Sequence, residues 1–234
     1  TTGSKSLSEL QKYCYYSEYD EFGRLYKQYV PGAGFTINLY DKRGRLVFSQ
    51  DAKQRENSKW RFSKYDNFDR VIITGICTGT ESEHRAALLS QSIYGEQRGT
   101  AIHGYTNLTY PTSIVEENCL NIIYYDDYAW SNQNLVSFLP TEALGQAMSN
   151  NVIGQQTGGK TKVLGISSNQ WLISACYYND RKFVIQEVEQ LYPSGTQVST
   201  NAWDFVGNVS RSKVKQSIGS LVTEYNKYFT YDSQ

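Results

Sequence analysis

One segment of the chain has the residue types and spacing for phosphate chemistry. Residues 154–161 read Gly-Gln-Gln-Thr-Gly-Gly-Lys-Thr, which fits the Walker A pattern. In that pattern the glycines let backbone N–H groups surround phosphate, the lysine reaches the β and γ oxygens, and the threonine holds magnesium. The candidate nucleotide contacts are therefore Gly159, Lys160 and Thr161.

The residues around this segment do not fit a P-loop enzyme. A P-loop follows a buried parallel strand and opens a helix. Here Val152 and Ile153 are the only apolar residues directly before it, and strand-like residues follow it. A Gly-rich turn is the favoured interpretation. A non-hydrolytic anion-binding loop and a nucleotide hydrolase remain as alternatives.

Other polar residues give weaker indications of chemistry. Asp126 and Asp127 lie among aromatic residues up to Trp130 and could form a platform for a sugar or a metal, although a solvated loop is favoured. A secreted ligand-binding sandwich that uses this surface is a further alternative. His84 has no nucleophile in a recognisable motif nearby, and its acidic neighbours predict an exposed position in the first turn of a helix. We expect no catalytic residue and no metal site.

The four cysteines stand far apart along the chain, at positions 14, 77, 119 and 176. No Cys-x-x-Cys pair or nearby histidine indicates zinc. We favour four reduced thiols in an intracellular protein, with two disulfides in a secreted one as the alternative. No signal peptide or membrane-spanning segment is recognisable in the sequence.

The composition indicates self-association. Twenty of the 234 residues are tyrosine, and 23 basic residues balance 23 acidic ones. Zero net charge favours association and argues against a binder of nucleic acid. Buried phenols are neutral at pH 7 and ionise in strong alkali, so contacts made by tyrosine should fail in base.

The pattern of residues predicts a mainly β protein with flanking α-helices, in the form of an antiparallel β-sandwich. A hairpin is predicted from residues 35–40 and 45–48, and further strands at 70–77, 119–125, 135–139, 162–166, 171–178, 183–188 and 197–199. Helices are predicted at 82–92 and 141–148. No internal repeat is recognised.

Two longer helices complete this prediction. Ser6 and Glu9 form a capping-box pattern that opens a projecting helix over residues 6–29, and a closing helix is predicted over 210–229. We therefore divide the chain into an arm, residues 1–30, and a single body, residues 31–234. Tyrosines surround the arm helix, so we expect it to dock on neighbouring chains through these residues: Leu7, Leu10, Tyr13, Tyr15, Tyr16, Tyr19, Phe22, Tyr26 and Tyr29.

The order of several short strings resembles the polyhedrins of cypoviruses, insect viruses whose particles are embedded in protein crystals. The strings are the Tyr-rich segment 6–29, the turn 41–44, Gln91-Ser-Ile-Tyr94, Leu120-Asn-Ile-Ile-Tyr124, Val136-Ser137 with Pro140, Glu142, Leu144 and Gln146, Asn208-Val209, Gln216-Ser217, and Tyr225-Asn-Lys-Tyr228. The longer C-terminal tail expected of that family is absent from this sequence, which ends at Gln234.

The resemblance implies a non-enzymatic crystal protein in viral occlusion bodies of the host cytoplasm. Its partners would be further copies of itself, in homotrimers and a lattice, and the enclosed virus particles, with no membrane. Alkali would dissolve the crystals through tyrosine ionisation. No cofactor is required, although a bound nucleoside triphosphate is compatible with the resemblance.

Overall fold

The computed structural model describes residues 13–130, 132–166 and 169–231, which are mainly antiparallel β with few helices. The chain divides after Leu120 into two compact units. Among the described residues, no helix is both long enough and apolar enough to cross a bilayer.

The first unit is built on a meander of six antiparallel strands that are neighbours in chain order. They are β1 (Tyr16–Tyr19), β2 (Leu25–Val30), β3 (Gly34–Tyr40), β4 (Leu46–Gln50), β5 (Lys59–Tyr65) and β6 (Val71–Thr78). A short helix α1 (Ala52–Glu56) connects β4 to β5. Helix α2 (Glu81–Ser90), the short strand β7 (Arg98–Ile102) and a 3₁₀ turn (Glu116–Asn118) follow β6.

The second unit repeats the meander with longer strands. The chain enters it within β8 (Cys119–Tyr125), and the following strands are β9 (Gln156–Lys162), β10 (Trp171–Tyr178), β11 (Val184–Gln190), β12 (Thr196–Trp203), β13 (Val209–Ile218) and β14 (Leu221–Tyr228). Each pairs antiparallel with the next. Two 3₁₀ segments, Gln133–Val136 and Pro140–Glu142, lie between β8 and β9.

The sequence predicted much of this strand pattern. The mainly antiparallel β class is confirmed, whereas the sandwich arrangement is not. The hairpin of β3 and β4, strands β6, β8, β10, β11 and β12, and helix α2 all lie where the sequence placed them. The strands expected at 135–139 and 162–166 are wrong, and of the helix expected at 141–148 a 3₁₀ turn covers only residues 141–142.

Both long terminal helices are wrong within the described residues. Residues 16–30 form strands β1 and β2, because Gly23 adopts φ 74° and reverses the chain inside the expected helix. Residues 16–30 therefore join the same ladder as the next strands instead of projecting as a helical arm. The expected closing helix is the hairpin of β13 and β14, which turns at Gly219 (φ 58°).

A fully buried ion pair fastens the segment after α2 to the sheet of the first unit. The Nζ of Lys64, on β5, lies 2.9 Å from Oε1 of Glu96, and neither side chain is exposed. Lys64 also donates to Oδ1 of Asn107 and to the carbonyl of Thr109. The Glu96 carboxylate accepts from Thr106 Oγ1, from the Leu108 and Thr109 backbone N–H groups and from Thr109 Oγ1.

These contacts satisfy both buried charges. Burial alone would raise the pKa of Glu96, but the Lys64 charge and the hydrogen bonds lower it to about 2. A carboxyl whose pKa falls on folding stabilises the folded state above its unfolded pKa, and this stabilisation is lost as pH falls through the folded value.

We predict that acid unfolds the first unit between about pH 5 and pH 2 as Glu96 takes up a proton. Glu96→Gln should cost roughly 3 kcal/mol at pH 7, because it leaves Lys64 buried without a counter-charge, and should flatten the acid dependence. Urea unfolding at a series of pH values measures both effects. The exposed Glu56→Gln is the control, and an equal pH dependence in both variants would contradict the prediction.

Candidate functional site

A single turn design recurs at one end of each meander. Six strands finish with an aromatic residue followed by Asp or Asn, and the next strand begins a few residues later, except at the fourth turn, where a longer segment intervenes. The pairs are Tyr19-Asp20, Tyr40-Asp41, Tyr65-Asp66, Tyr125-Asp126, Tyr178-Asn179 and Trp203-Asp204. The strand register shifts next to every one of these turns. We call these six turns the aspartate turns.

The three aspartate turns of the first unit make the same set of hydrogen bonds. In the second turn, Asp41 Oδ1 accepts from the backbone N–H groups of Arg43 (2.9 Å) and Arg45 (3.0 Å). Its Oδ2 accepts from Nε of Arg45 at 2.8 Å. Asp20 and Asp66 make the same three contacts with the residues two and four positions further on.

The backbone of each turn explains the residue at its fourth position. Three residues after the aspartate the chain adopts a positive φ, which is 74° at Gly23, 80° at Gly44 and 62° at Asp69. Glycine adopts this conformation without steric cost, and Asp or Asn tolerates it better than most residues. The aspartate satisfies turn N–H groups that no strand can reach, as in an Asx-turn.

Two of the turn carboxylates, those of Asp20 and Asp204, have a lowered pKa. Burial would raise the pKa of Asp20, but backbone and side-chain hydrogen bonds from Arg24 outweigh it and lower the pKa. At Asp204 the backbone N–H of Asn208 makes the largest contribution to lowering the pKa. The hydrogen bonds of these two turns thus favour the ionised carboxylate.

Arginines connect neighbouring turns in the first unit. Arg24 of the first turn donates from Nη1 to the carbonyl of Asp41 in the second turn, at 3.1 Å. Arg43 and Arg45 of the second turn both donate to Oδ1 of Asp69 in the third, at 3.1 and 2.7 Å. The guanidinium of Arg45 also stacks over the Tyr65 ring, 4.5 Å from its centroid.

The second unit uses the same construction with different side chains. Asn179 Oδ1 accepts from the N–H groups of Arg181 and Phe183, and Asp204 Oδ1 accepts from those of Val206 and Asn208. Arg181 reaches forward and donates to the carbonyl of Phe205 at 2.7 Å. In the other direction, Lys182 donates to the carbonyl of Ile153 at 2.8 Å.

The fourth turn explains the first glycine of the Walker-like segment. A segment after Asp126 interrupts this turn, yet Asp126 N–H still bonds to the Gln155 carbonyl and its Oδ1 accepts from Gly154 N–H at 2.7 Å. Gly154 has φ 86°, so it occupies the same left-handed position as Gly23 and Gly44. Its role is to close a hairpin.

Residues 156–161 of the segment lie inside strand β9, so the favoured Gly-rich turn is confined to Gly154 and Gln155. Gly159 pairs with Ile123 of β8 and Ser174 of β10, which uses the backbone that a P-loop would turn toward phosphate. Lys160 is buried, and its Nζ donates to Asn132 Oδ1 at 2.9 Å. Thr161, also on β9, pairs with Leu172 of β10 and with Asn121 of β8.

Gly158 is required by the aromatic packing beside β9. The Trp130 ring stacks on Tyr124 with centroids 4.7 Å apart, and a Cβ at Gly158 would lie 2.2 Å from Trp130 Cζ2. Trp130 is 6% exposed. Tyr128 stacks on Tyr177 in the same way. Tyr124 and Trp130 are therefore core residues, and they do not form the exposed aromatic platform that was the alternative to the favoured solvated loop.

The predicted assembly residues fall into three groups. Leu7 and Leu10 lie outside the described residues. Tyr13, Tyr15, Tyr19 and Phe22 are exposed, whereas Tyr29 is buried, with its ring tilted against those of Tyr16 and Phe35. Tyr26 donates to Glu81 Oε1 at 2.6 Å. Tyr13 and Tyr15 thus precede β1, the other described residues lie on β1, β2 and the turn between them, and the exposed members lie at the start of the meander.

His84 is buried, so its predicted exposure is wrong. Its ring stacks on Phe48 with centroids 4.2 Å apart, and Nδ1 lies 2.9 Å from the Tyr110 hydroxyl. Burial lowers the pKa of His84 and raises that of the Cys77 thiol to about 12. Both are therefore neutral core groups at pH 7. All four cysteines are free, as expected for reduced thiols.

Each unit has a groove beside its aspartate turns. The groove in the first unit, about 630 Å³, is bordered by Phe22, Arg24, Tyr40, Arg43 and Leu89 among others. Arg24 and Arg43 make the turn contacts described above. The second unit has a groove of about 550 Å³ between its 145–149 segment and the fifth and sixth turns.

The repeated turn was missed by the sequence analysis, although the sequence contains a signal for it. Tyr-Asp-x-x-Gly-Arg occurs at Tyr19 and at Tyr40, and Tyr-Asp-x-x-Asp-Arg occurs at Tyr65. The later copies replace tyrosine by tryptophan, aspartate by asparagine or glycine by lysine, which hides the period. Aligning on the left-handed fourth position would have recovered them.

Comparisons with known proteins leave the family open. No protein-family model and no curated protein matches the chain. Solved structures of TcdB2-TccC3 match at 16% identity over 93% of this chain, with a TM-score of 0.24, and a TcdB2-TccC3-TEV structure matches at 17% over 86%, also at 0.24. This chain covers 14% and 12% of those chains, respectively.

We predict that Asp41→Ala lowers the free energy of unfolding of the first unit by roughly 3 kcal/mol, because the turn N–H groups lose their acceptor and the mostly buried Arg45 exchanges a fully buried partner for the 53% exposed Asp69 alone among its carboxylates. Asp41→Asn should cost less, since Asn179 serves in the equivalent turn. Urea unfolding compares both with the exposed neighbour variant Lys42→Ala. Equal stability of Asp41→Ala and Lys42→Ala would contradict this account of the turn.

Proposed function

We propose that this chain is a structural protein that associates with copies of itself and has no enzymatic role. The observation that carries the proposal is the repetition of the aspartate turn. Three copies in the first unit have the same three carboxylate contacts, and arginines connect each copy to the next. Such repetition stiffens a sheet, and it distinguishes none of these turns as a binding or catalytic site.

The side chains that could bind or transform a substrate are occupied in maintaining the fold. Lys64 and Glu96 neutralise each other in the core. Asp41 and Arg45 form a 2.6 Å ion pair, with Asp41 fully buried and Arg45 10% exposed. Lys160, the residue a nucleotide hydrolase would need, is buried beside Asn132. These placements support a scaffold over the hydrolase alternative.

Apolar side chains left in solvent support self-association. Tyr15 and Phe22 are exposed near the first strand, as are Leu221, Tyr225 and Tyr228 on the last. Such side chains mark contact surfaces when they cluster. The balanced charge of the chain removes the long-range repulsion that would keep copies apart.

The occlusion-body protein suggested by the polyhedrin resemblance is a narrower form of this proposal. Two helices of that resemblance are strands within the described residues. We therefore rest the proposal on the sheet and its turns. Formation of trimers or crystals and enclosure of virus particles in a host cytoplasm are further steps beyond it, and so is a bound nucleoside triphosphate.

We predict concentration-dependent association of the purified chain and ATP hydrolysis no faster than buffer alone. Sedimentation velocity over a dilution series measures the first, and phosphate release measures the second. Lys160→Ala should lower stability, because it removes the hydrogen bond that joins strand β9 to Asn132. A chain that stays monomeric up to the highest soluble concentration, or phosphate release that Lys160→Ala abolishes without unfolding, would overturn the proposal.

The phenols with the clearest shifts lie inside the second unit, so alkali should act on the fold itself. Burial raises the pKa of Tyr177 and Tyr178 to about 12. Their hydroxyls donate to the carbonyls of Val136 and Gln156, at 2.6 and 2.7 Å. The folded state holds these protons more tightly, so the stabilisation is complete below pH 10 and is lost as pH rises through 12.

We predict that the second unit unfolds between about pH 10 and pH 12. Tyr178→Phe keeps the ring and removes the ionisable group, so the alkaline midpoint should rise, at a neutral-pH cost of about 1 kcal/mol for the lost hydrogen bond. Circular dichroism during alkaline titration measures the midpoint, with the exposed Tyr192→Phe as control. A midpoint unchanged in Tyr178→Phe would assign alkaline unfolding to other groups.

A further inference from the structure

The outer edge of strand β14 is long and regular, and its charged side chains are those of Glu224 and Lys227. Within the described residues β14 pairs with β13 alone, and its eight residues follow one uninterrupted register. It contains no proline and no bulge. Natural edge strands are commonly short, bulged or interrupted by such features, because a long regular edge is a template for another strand.

The other terminal strand of the described residues differs in these respects. Strand β1 has four residues, and its register shifts between Glu18 and Tyr19. Of the two terminal strands among the described residues, β14 is therefore the longer and the more regular. Its apolar side chains are exposed on both faces: Leu221 and Tyr225 lie on one, Val222 and Tyr228 on the other.

The hydrogen-bond directions of β14 follow from the hairpin. The N–H of Phe229 donates to the carbonyl of Ser210 on the β13 side. Since backbone groups alternate along a strand, the odd-numbered residues of β14 face β13 and the even-numbered ones face outward. The free donors and acceptors of the edge therefore belong to Val222, Glu224, Asn226 and Tyr228.

We propose that β14 pairs antiparallel with β14 of a second copy, about a two-fold axis through Tyr225. A two-fold axis perpendicular to the sheet places residues of equal parity opposite each other. Centred on Tyr225, the hydrogen-bonded pairs are Val222 with Tyr228 and Glu224 with Asn226. Thr223 then lies opposite Lys227, and the two copies of Tyr225 face each other.

Charge excludes an axis on Glu224, and side-chain pairing favours the axis on Tyr225. Centring the axis on Glu224 would oppose two carboxylates, which is unfavourable across a strand pair. Centring it on Tyr225 opposes no like charges and pairs aromatic with β-branched side chains, a favourable combination. Glu224 already lies 3.0 Å from Lys213 of its own chain, so the second copy need not neutralise it.

This inference rests on the proposed self-association and specifies its contact. Three variants test the edge by sedimentation of the full chain. Tyr225→Lys places two ammonium groups across the axis and should raise the dimer dissociation constant on the order of tenfold or more. Val222→Pro removes an outward N–H and leaves the β13 ladder intact, so it should do the same. Tyr225→Phe should retain the dimer.

Cysteine cross-linking tests the register. Facing residues of a non-hydrogen-bonded pair have Cα atoms about 4.5 Å apart, within disulfide range. Tyr225→Cys should therefore form an intermolecular disulfide under mild oxidation, identified by mass spectrometry of the 225–225 peptide pair. Thr223→Cys should not link to itself, since its partner is Lys227. The unchanged chain controls for its four native cysteines.

The outcomes separate the edge contact from self-association in general. Association that persists unchanged in folded Tyr225→Lys and Val222→Pro, with no 225–225 disulfide, would overturn the edge contact and leave the structural role standing. A chain that is monomeric at every concentration would overturn both. If a variant unfolds by circular dichroism, the Tyr225→Cys and Thr223→Cys pair decides, because a 223–223 link in place of 225–225 contradicts the register.

Discussion

A carboxylate that accepts two backbone N–H groups is the interaction on which this structure depends. A meander needs its chain to reverse after every strand, and each reversal leaves donors that no ladder can satisfy. Asp20, Asp41 and Asp66 satisfy them and also fix the arginine four residues later. Once that arginine is fixed, it can reach the next turn, which lies two strands away.

The connections between turns therefore arise from the turns themselves. Arg45 can contact both Asp41 and Asp69 only because the Asp41 turn orients its guanidinium. In the second unit, Arg181 and Lys182 donate to backbone carbonyl oxygens of neighbouring turns, where the arginines Arg43 and Arg45 of the first unit donate to a carboxylate. A basic side chain of one turn can therefore bond to either kind of group in the next turn, since a carbonyl oxygen and a carboxylate oxygen are both acceptors.

The Walker-like segment shows how a motif can arise from folding requirements. Its first glycine closes an aspartate turn at a positive φ, and Gly158 leaves space for the Trp130 ring. Lysine and threonine then follow as ordinary positions of β9. A regular strand holds its N–H groups in the ladder, so it cannot direct them toward a phosphate. The segment matches the Walker A pattern in sequence, while its strand backbone does not present the N–H groups that a P-loop uses to bind phosphate.

The sequence by itself determined the β class, the hairpin of β3 and β4, most strand positions and helix α2, because these follow from local alternation, turn residues and caps. It also contained the repeated Tyr-Asp turns, although substitutions at later copies concealed them. It did not determine that residues 16–30 and 209–228 are strands, since their apolar spacing also fits helices and only pairing with neighbours decides between the two. Nor could it show that His84 and Lys160 are buried or that arginines link successive turns. Those features depend on residues distant in sequence meeting in space, which tertiary structure alone decides.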